Sequence, residues 1–309
     1  MALFALVPPP AEPLIDPVDA VMEFLGFLSW FAAIGALGFR YIVLRGGGPA
    51  DAYAGPDAPG VFDTARRNAA RVGLIGAVLM LALQLVRLAT QAAGKHQGLV
   101  ETAQKSGARF LIPFLCGLVL LVAYAAATRM ARLWWELAAV AAVVLVFNGI
   151  TGGWTRLINP VHRAAASLWL GTLFVLLTAG LPAILRGART PDARGALVAG
   201  MVRRFSPLAL TASAFLAITG VITAWRHLHV LSSLWTTPYG YALDVKLVLV
   251  LVVVGLGAWN WRRMVPQLGT EDAAHALRRS AKAELMFAGL VLVVTAILVS
   301  LPSPRPPGH

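Results

Sequence analysis

Apolar residues fill eight long windows of the chain, near 18–44, 69–90, 109–128, 132–151, 162–185, 205–225, 241–261 and 283–301, and most charged residues fall between them. Each window has roughly the 17 to 25 residues that an α-helix needs to cross about 30 Å of hydrocarbon. The pattern predicts an all-α integral membrane protein, a bundle of eight transmembrane helices. The longest connection, "RGGGPADAYAGPDAPG" at 45–60, is a Gly-, Pro- and Ala-rich link rather than a folded unit. The windows divide into a half of four helices over 1–158 and another over 159–309.

Composition agrees with this class. Of 309 residues, 58% are hydrophobic and 13% charged, and the mean hydropathy of +0.74 is too high for an ordinary soluble domain. The net charge of +12 could suggest nucleic acid, but the bases form short juxtamembrane runs and no nucleic-acid motif accompanies them. Arg40, Arg45, Arg66, Arg67, Arg71, Arg129, Arg132, Arg186, Arg189, Arg194, Arg203, Arg204, Arg262, Arg263, Arg278, Arg279 and Lys282 lie at the ends of, or follow, the odd-numbered windows. Those connections are expected in the cytoplasm and both termini outside it. Cys116, the single cysteine, allows no intrachain disulfide. The start of the chain has no basic stretch and is broken by prolines, unlike a cleaved leader.

This orientation places His96, His162, His227, His229 and His309 outside and leaves His275 inside. In "WRHLHV" at 225–230, His227 and His229 would point about 200° apart on a helix. They can serve one ligand only where the helix has ended, and it is expected to end near Arg226. In "LINPVHR", Asn159 and Pro160 read as an N-cap and first helical residue. That puts His162 in the first turn, where the helix dipole favours a neutral imidazole able to bind a metal. The alternative for His96, His162, His227 and His229 is an amphipathic anchor or hydrogen-bond partner at the interface, while His275 reads as a solvated loop residue and His309 as the end of a disordered proline-rich tail.

Thr237 and Pro238 predict a helix start, and "TTPYG" (Thr236, Thr237, Pro238, Tyr239, Gly240) reads as a structural turn. Asp244 and Lys246 follow at a depth where a charge must face protein or water. Gln84, Arg87 and Asn148 are further polar groups in the outer half, and Asp244 with Arg87 is an expected interhelical pair. Met22, Met80 and Cys116 are the sulfur atoms available along a pathway; thioether and thiolate suit cuprous copper, although methionine also serves to fill gaps. Neither a nucleophile motif nor a phosphate-binding loop is found, so no enzyme activity is expected.

Three segments, "RRFSPLALTASAFLAITGVITAWRHL", "LWTTPYGYALDVKLVLVLVVVGLGAWNWRRMVPQL" and "LRRSAKAELMFAGLVLVVTAILVSLP", resemble the copper resistance protein D family of bacterial inner-membrane proteins. The resemblance covers about 203–301, and "NPVHRAAASLWLGTLFVLL" at 159–177 supports it. Thr236, Thr237, Tyr239, Gly240, Lys246, Asn260 and Glu284 stand where the family pattern places them, whereas Asp244 stands where an apolar residue is expected. The resemblance implies a multi-pass protein of the bacterial inner membrane that takes copper at the periplasmic face and moves it across. It also implies a separate small periplasmic copper-binding protein, of the CopC type, as partner.

Residues and resemblance together make His162, His227 and His229 the candidate ligands for copper, as Cu(II) or Cu(I). Met22, Met80, Cys116, Asn148, Asp244 and Lys246 are the candidates for a pathway or gate. A copper site requires His162 and at least one of the other two imidazoles to meet. The rival readings are a membrane electron carrier holding haem b between histidines, and a scaffold or assembly subunit without transport activity.

Overall fold

The structure is a computed structural model that describes residues 16–45, 58–129, 133–148, 154–228, 230–264 and 271–301, and it is all-helical among them. Helix α1, Pro17–Gly38, starts where the Asp16 carboxylate accepts from the Val18 amide at 2.8 Å, with Pro17 in the first turn. It runs on through a wider π turn, Phe39–Val43. Then come α2, Ala58–Gly94; the short α3, Leu99–Ser106; α4, Ala108–Ala127; and α5, Leu133–Phe147. A 3-10 turn, Trp154–Leu157, leads into α6, Ile158–Gly187. The last four are α7, Pro191–Leu228; α8, Ser233–Thr236; α9, Pro238–Trp259; and α10, Glu271–Ser300.

Seven of these, α1, α2, α4, α6, α7, α9 and α10, are long and apolar enough to span a membrane. The window at 132–151 is a helix of 15 residues, which rises only ~22 Å. Residues 130–132 and 149–153 on either side of it lie outside the described residues. Among the described residues, seven spans and one short apolar helix therefore stand where eight spans were expected. Helices α2 and α7 are much longer than their windows, with 37 and 38 residues, because their polar ends stay helical beyond the apolar core. The Asp63–Arg66 pair at 2.7 Å lies on such an extension.

The packing is organised around α6. It is mostly buried within the bundle, and two π turns, Ser167–Gly171 and Leu176–Gly180, interrupt it. Helix α1 crosses it where both backbones are bare: a Cβ on Gly35 would collide with the Gly171 backbone. Small residues permit this close approach, the usual means of joining helices in lipid, where no hydrophobic force separates protein from solvent. Tyr124 of α4 is fully buried, fills the space left by Gly73 of α2, and donates its hydroxyl to the Ala33 carbonyl of α1. The main buried cluster draws on residues from both the 1–158 and 159–309 segments.

The outer helices differ from this axis. Leu210, Phe215, Ile218, Val221 and Trp225 of α7, and Val248, Leu251 and Trp259 of α9, are exposed, as lipid-facing residues are. One polar joint ties α9 to α10: the Asn260 amide donates to the buried Glu284 carboxylate at 3.2 Å, and the Ser280 hydroxyl donates to the Asn260 carbonyl oxygen. Asn260 opens a π turn, Asn260–Met264, that closes α9.

Candidate metal-handling site

The candidate residues collect at one end of the bundle, where α1 begins, α2 ends, α6 begins, α7 ends and α9 begins. Cross-links fix these termini together: Glu23 to Arg87 at 2.7 Å, Arg163 over the Trp30 ring at 4.7 Å, and the Thr223 hydroxyl to the Asn159 side chain at 3.4 Å.

His162 is half-buried on α6, with Nδ1 2.8 Å from the Thr219 hydroxyl of α7. That hydroxyl donates its single hydrogen to the Phe215 carbonyl at 2.6 Å, so its oxygen accepts and the His162 Nδ1–H donates. The ring lies on the surface left open by Gly220, where a Cβ would stand 3.5 Å from His162 Cε1. His227 has its Nδ1 2.8 Å from the Thr223 carbonyl, which can only accept. The neutral form of both imidazoles therefore leaves Nε2 with its lone pair. Metal-binding histidines are oriented in this way, by a second hydrogen bond from the other ring nitrogen.

The start of α6 differs from the expectation. The helix begins at Ile158 with Leu157 in the cap position and no side-chain cap. Asn159 is thus inside the first turn, and its side chain serves Thr223 instead. The preceding 3-10 turn carries the chain into the helix without needing a polar cap.

The TTPYG turn forms as expected. Thr237 is extended, with φ −127° and ψ 149°; its hydroxyl accepts from the Gly240 amide at 3.0 Å, and Pro238 follows in the first turn. Gly240 has to lack a side chain, because a Cβ would strike the Ser233 and Leu234 backbone. This close approach of α8 and α9 seats the buried Tyr239, whose ring stacks on His227 with centroids 6.0 Å apart and planes 10° apart. The Thr236 hydroxyl closes α8 on the Ser232 carbonyl at 2.9 Å.

The hydrogen-bond anchors of His162 and His227 stand on different turns of α7. The carbonyls that end their hydrogen-bond chains, of Phe215 and Thr223, are two turns apart on α7, ~12 Å of helix rise. His229 lies outside the described residues. No group of three or more His, Cys, Asp or Glu able to hold a metal ion occurs among the described residues. Lys246 of α9 is half-buried and lies within electrostatic reach of His162. The expected Asp244–Arg87 pair does not form, because Arg87 reaches Glu23 on the adjacent α1. Met80 and Asn148 line a cavity of ≈ 910 Å³ at this end, while Cys116 is buried in α4 as a free thiol. Met22 is half-buried in the second turn of α1. Reading the sequence by windows missed Trp30, Arg163 and Glu23, whose partners are distant along the chain.

The class that fold and site define is a multi-pass, all-helical membrane protein with oriented imidazoles at one end. Residues 199–298 match the family described as copper resistance protein D. Over 151 residues, 49% of the chain, it is 33% identical to "Copper transport protein CutJ" of Bacillus subtilis (strain 168). The aligned part is 26% of that protein, so the chain matches about a quarter of this relative's length. No solved structure matches the chain.

Proposed function

We propose that the protein handles copper in the bacterial inner membrane, takes the ion at the histidine end, and moves it across the bilayer. The observation that carries this reading is that His162 and His227 each donate through Nδ1 to a fixed oxygen and leave Nε2 free to bind. Imidazole nitrogen suits cupric copper. With the two anchors on different turns of α7, the residues are consecutive stations. His227, with His229 two residues on, receives the ion from a separate periplasmic carrier of the CopC type, and His162 holds it deeper.

Lys246 sets a gate in this proposal. An ammonium beside the inner station repels a cation, so onward movement requires the lysine side chain to withdraw or lose its proton. Cys116 supplies a softer contact beyond that point. No covalent chemistry is involved, and the role is non-enzymatic. In this topology the end with the imidazoles faces the periplasm, both termini lie there, α5 completes an eighth crossing, and 1–158 and 159–309 are the two four-helix halves.

The test is the metal content of purified protein after exposure to cupric ion, read by elemental analysis with an absorption spectrum of the same sample. Bound copper that falls at least about tenfold in affinity in His162→Ala, His227→Ala protein supports the reading, since each metal–imidazole bond contributes substantially to such sites. A Soret band would assign haem b instead. Protein that holds neither copper nor haem would be a scaffold.

A further inference from the structure

The ≈ 910 Å³ cavity at the histidine end has a charge that suits no copper ion. Arg87, Lys95, Lys105, Arg109 and Arg163 all line it, and no carboxylate does. Glu23 holds Arg87 and Glu101 holds Lys105, each by an ion pair of 2.7–2.8 Å. Lys95, Arg109 and Arg163 form no salt bridge among the described residues. A cavity with this balance attracts anions and repels metal cations.

The lining also changes character along its depth. It runs from Lys95, exposed at the rim in the turn after α2, down that helix through Arg87 to Leu83 and Met80, both buried. That is a stretch of ~22 Å along the helix. The apolar end is completed by Trp30, Pro113, Leu145 and Val146. A free inorganic anion would use the rim and leave the deeper apolar half in contact with water. Within the cavity, Gln84 donates its amide to the Pro113 carbonyl at 3.3 Å, while its Oε1 is buried without a partner; Gln97 Oε1 is likewise buried and unpartnered. Both atoms are acceptors and call for a donor such as a hydroxyl.

We infer that this cavity binds a phosphate-bearing amphiphile with a hydroxylated headgroup, of the phosphatidylglycerol kind. The phosphate sits between Lys95 and Arg109 at the rim, a headgroup hydroxyl donates to the Gln97 oxygen beside them, and an acyl chain covers Met80 and Leu83. Charge, depth and unsatisfied acceptors each point to a different part of the same molecule. The assignment is independent of where copper binds.

The test is native mass spectrometry of the full-length protein titrated with phosphatidylglycerol or phosphatidylcholine of matched chains. Each unpaired base at a membrane surface favours an anionic lipid on the order of fivefold, so with Lys95 and Arg109 phosphatidylglycerol is expected to bind about 30-fold more tightly. Lys95→Gln, Arg109→Gln protein should bring the two lipids to within about twofold of each other. Arg129→Gln, which removes an exposed base at the other end of the bundle, should leave the preference intact, and melting curves check that every variant is folded. Equal binding of the two lipids by the wild-type chain, or an undiminished preference in the double variant, overturns the inference. Inorganic phosphate alone raising the melting temperature as much as phosphatidylglycerol would also overturn it and leave a site for free anions.

Discussion

Helix α6 and helix α9 are both apolar, yet the bundle treats them oppositely. Of the most apolar stretch of α6, 72% is buried inside the protein; for α9 the figure is 11%. The difference lies in which apolar residues are used. Where α6 meets α1 the chain has Gly35 and Gly171 in backbone contact, while α9 displays Val248, Leu251 and Trp259 outward. Hydrophobicity puts a helix in the membrane, and small side chains at defined positions put it at the centre of the bundle. The region matched by the copper resistance protein D family, 199–298, contains the more exposed helices α7 and α9. Its Met201, Phe205, Val253, Ala288 and Leu292 nevertheless join the main buried cluster.

The largest expected effect comes from filling the close approach at the axis. Gly35→Leu forces α1 away from α6 and should cost about 3 kcal/mol or more, seen as loss of monodisperse protein in detergent. In the outer region, Glu284→Ala removes the acceptor of the buried Asn260 amide and should cost about 2 kcal/mol in thermal or denaturant unfolding. Tyr124→Phe keeps the ring in the space left by Gly73 and removes only the hydrogen bond to Ala33. Its cost should be about 1 kcal/mol, typical of one such bond in a membrane protein. Smallest is Gly255→Ala on α9, where nothing lies within 4 Å of the added methyl. It should be neutral or raise stability by up to about 1 kcal/mol through helix propensity. A destabilisation as large as that of Gly35→Leu would erase the contrast between axis and outer region.

Apolar windows located the seven spanning helices found among the described residues, because a run of lipid-soluble residues is a local property. They did not give the helix lengths, since the polar ends of α2 and α7 stay helical outside the core. Nor did they reveal the π turns in α6, where the helix adjusts to neighbours far away in sequence. The Thr237–Pro238 start was legible because capping is local, and the Asn159 cap failed because a 3-10 turn took its place. Asn260 and Glu284 were visible as two positions of a family pattern, but their hydrogen bond spans 24 residues and needed the fold. The same is true of His162 on Thr219, 57 residues apart, and of the cavity, whose walls come from α1 to α6.

Copper movement through the histidine end is tested most directly by the copper content of cells, measured in a strain that lacks the protein and carries wild-type, double-variant or empty plasmid. Wild-type protein should change cellular copper relative to empty plasmid, upward for import. The His162→Ala, His227→Ala variant, at equal membrane abundance, should return it to the empty-plasmid level. Equal copper in wild-type and empty-plasmid cells, or a double variant as active as the wild type, would contradict the account.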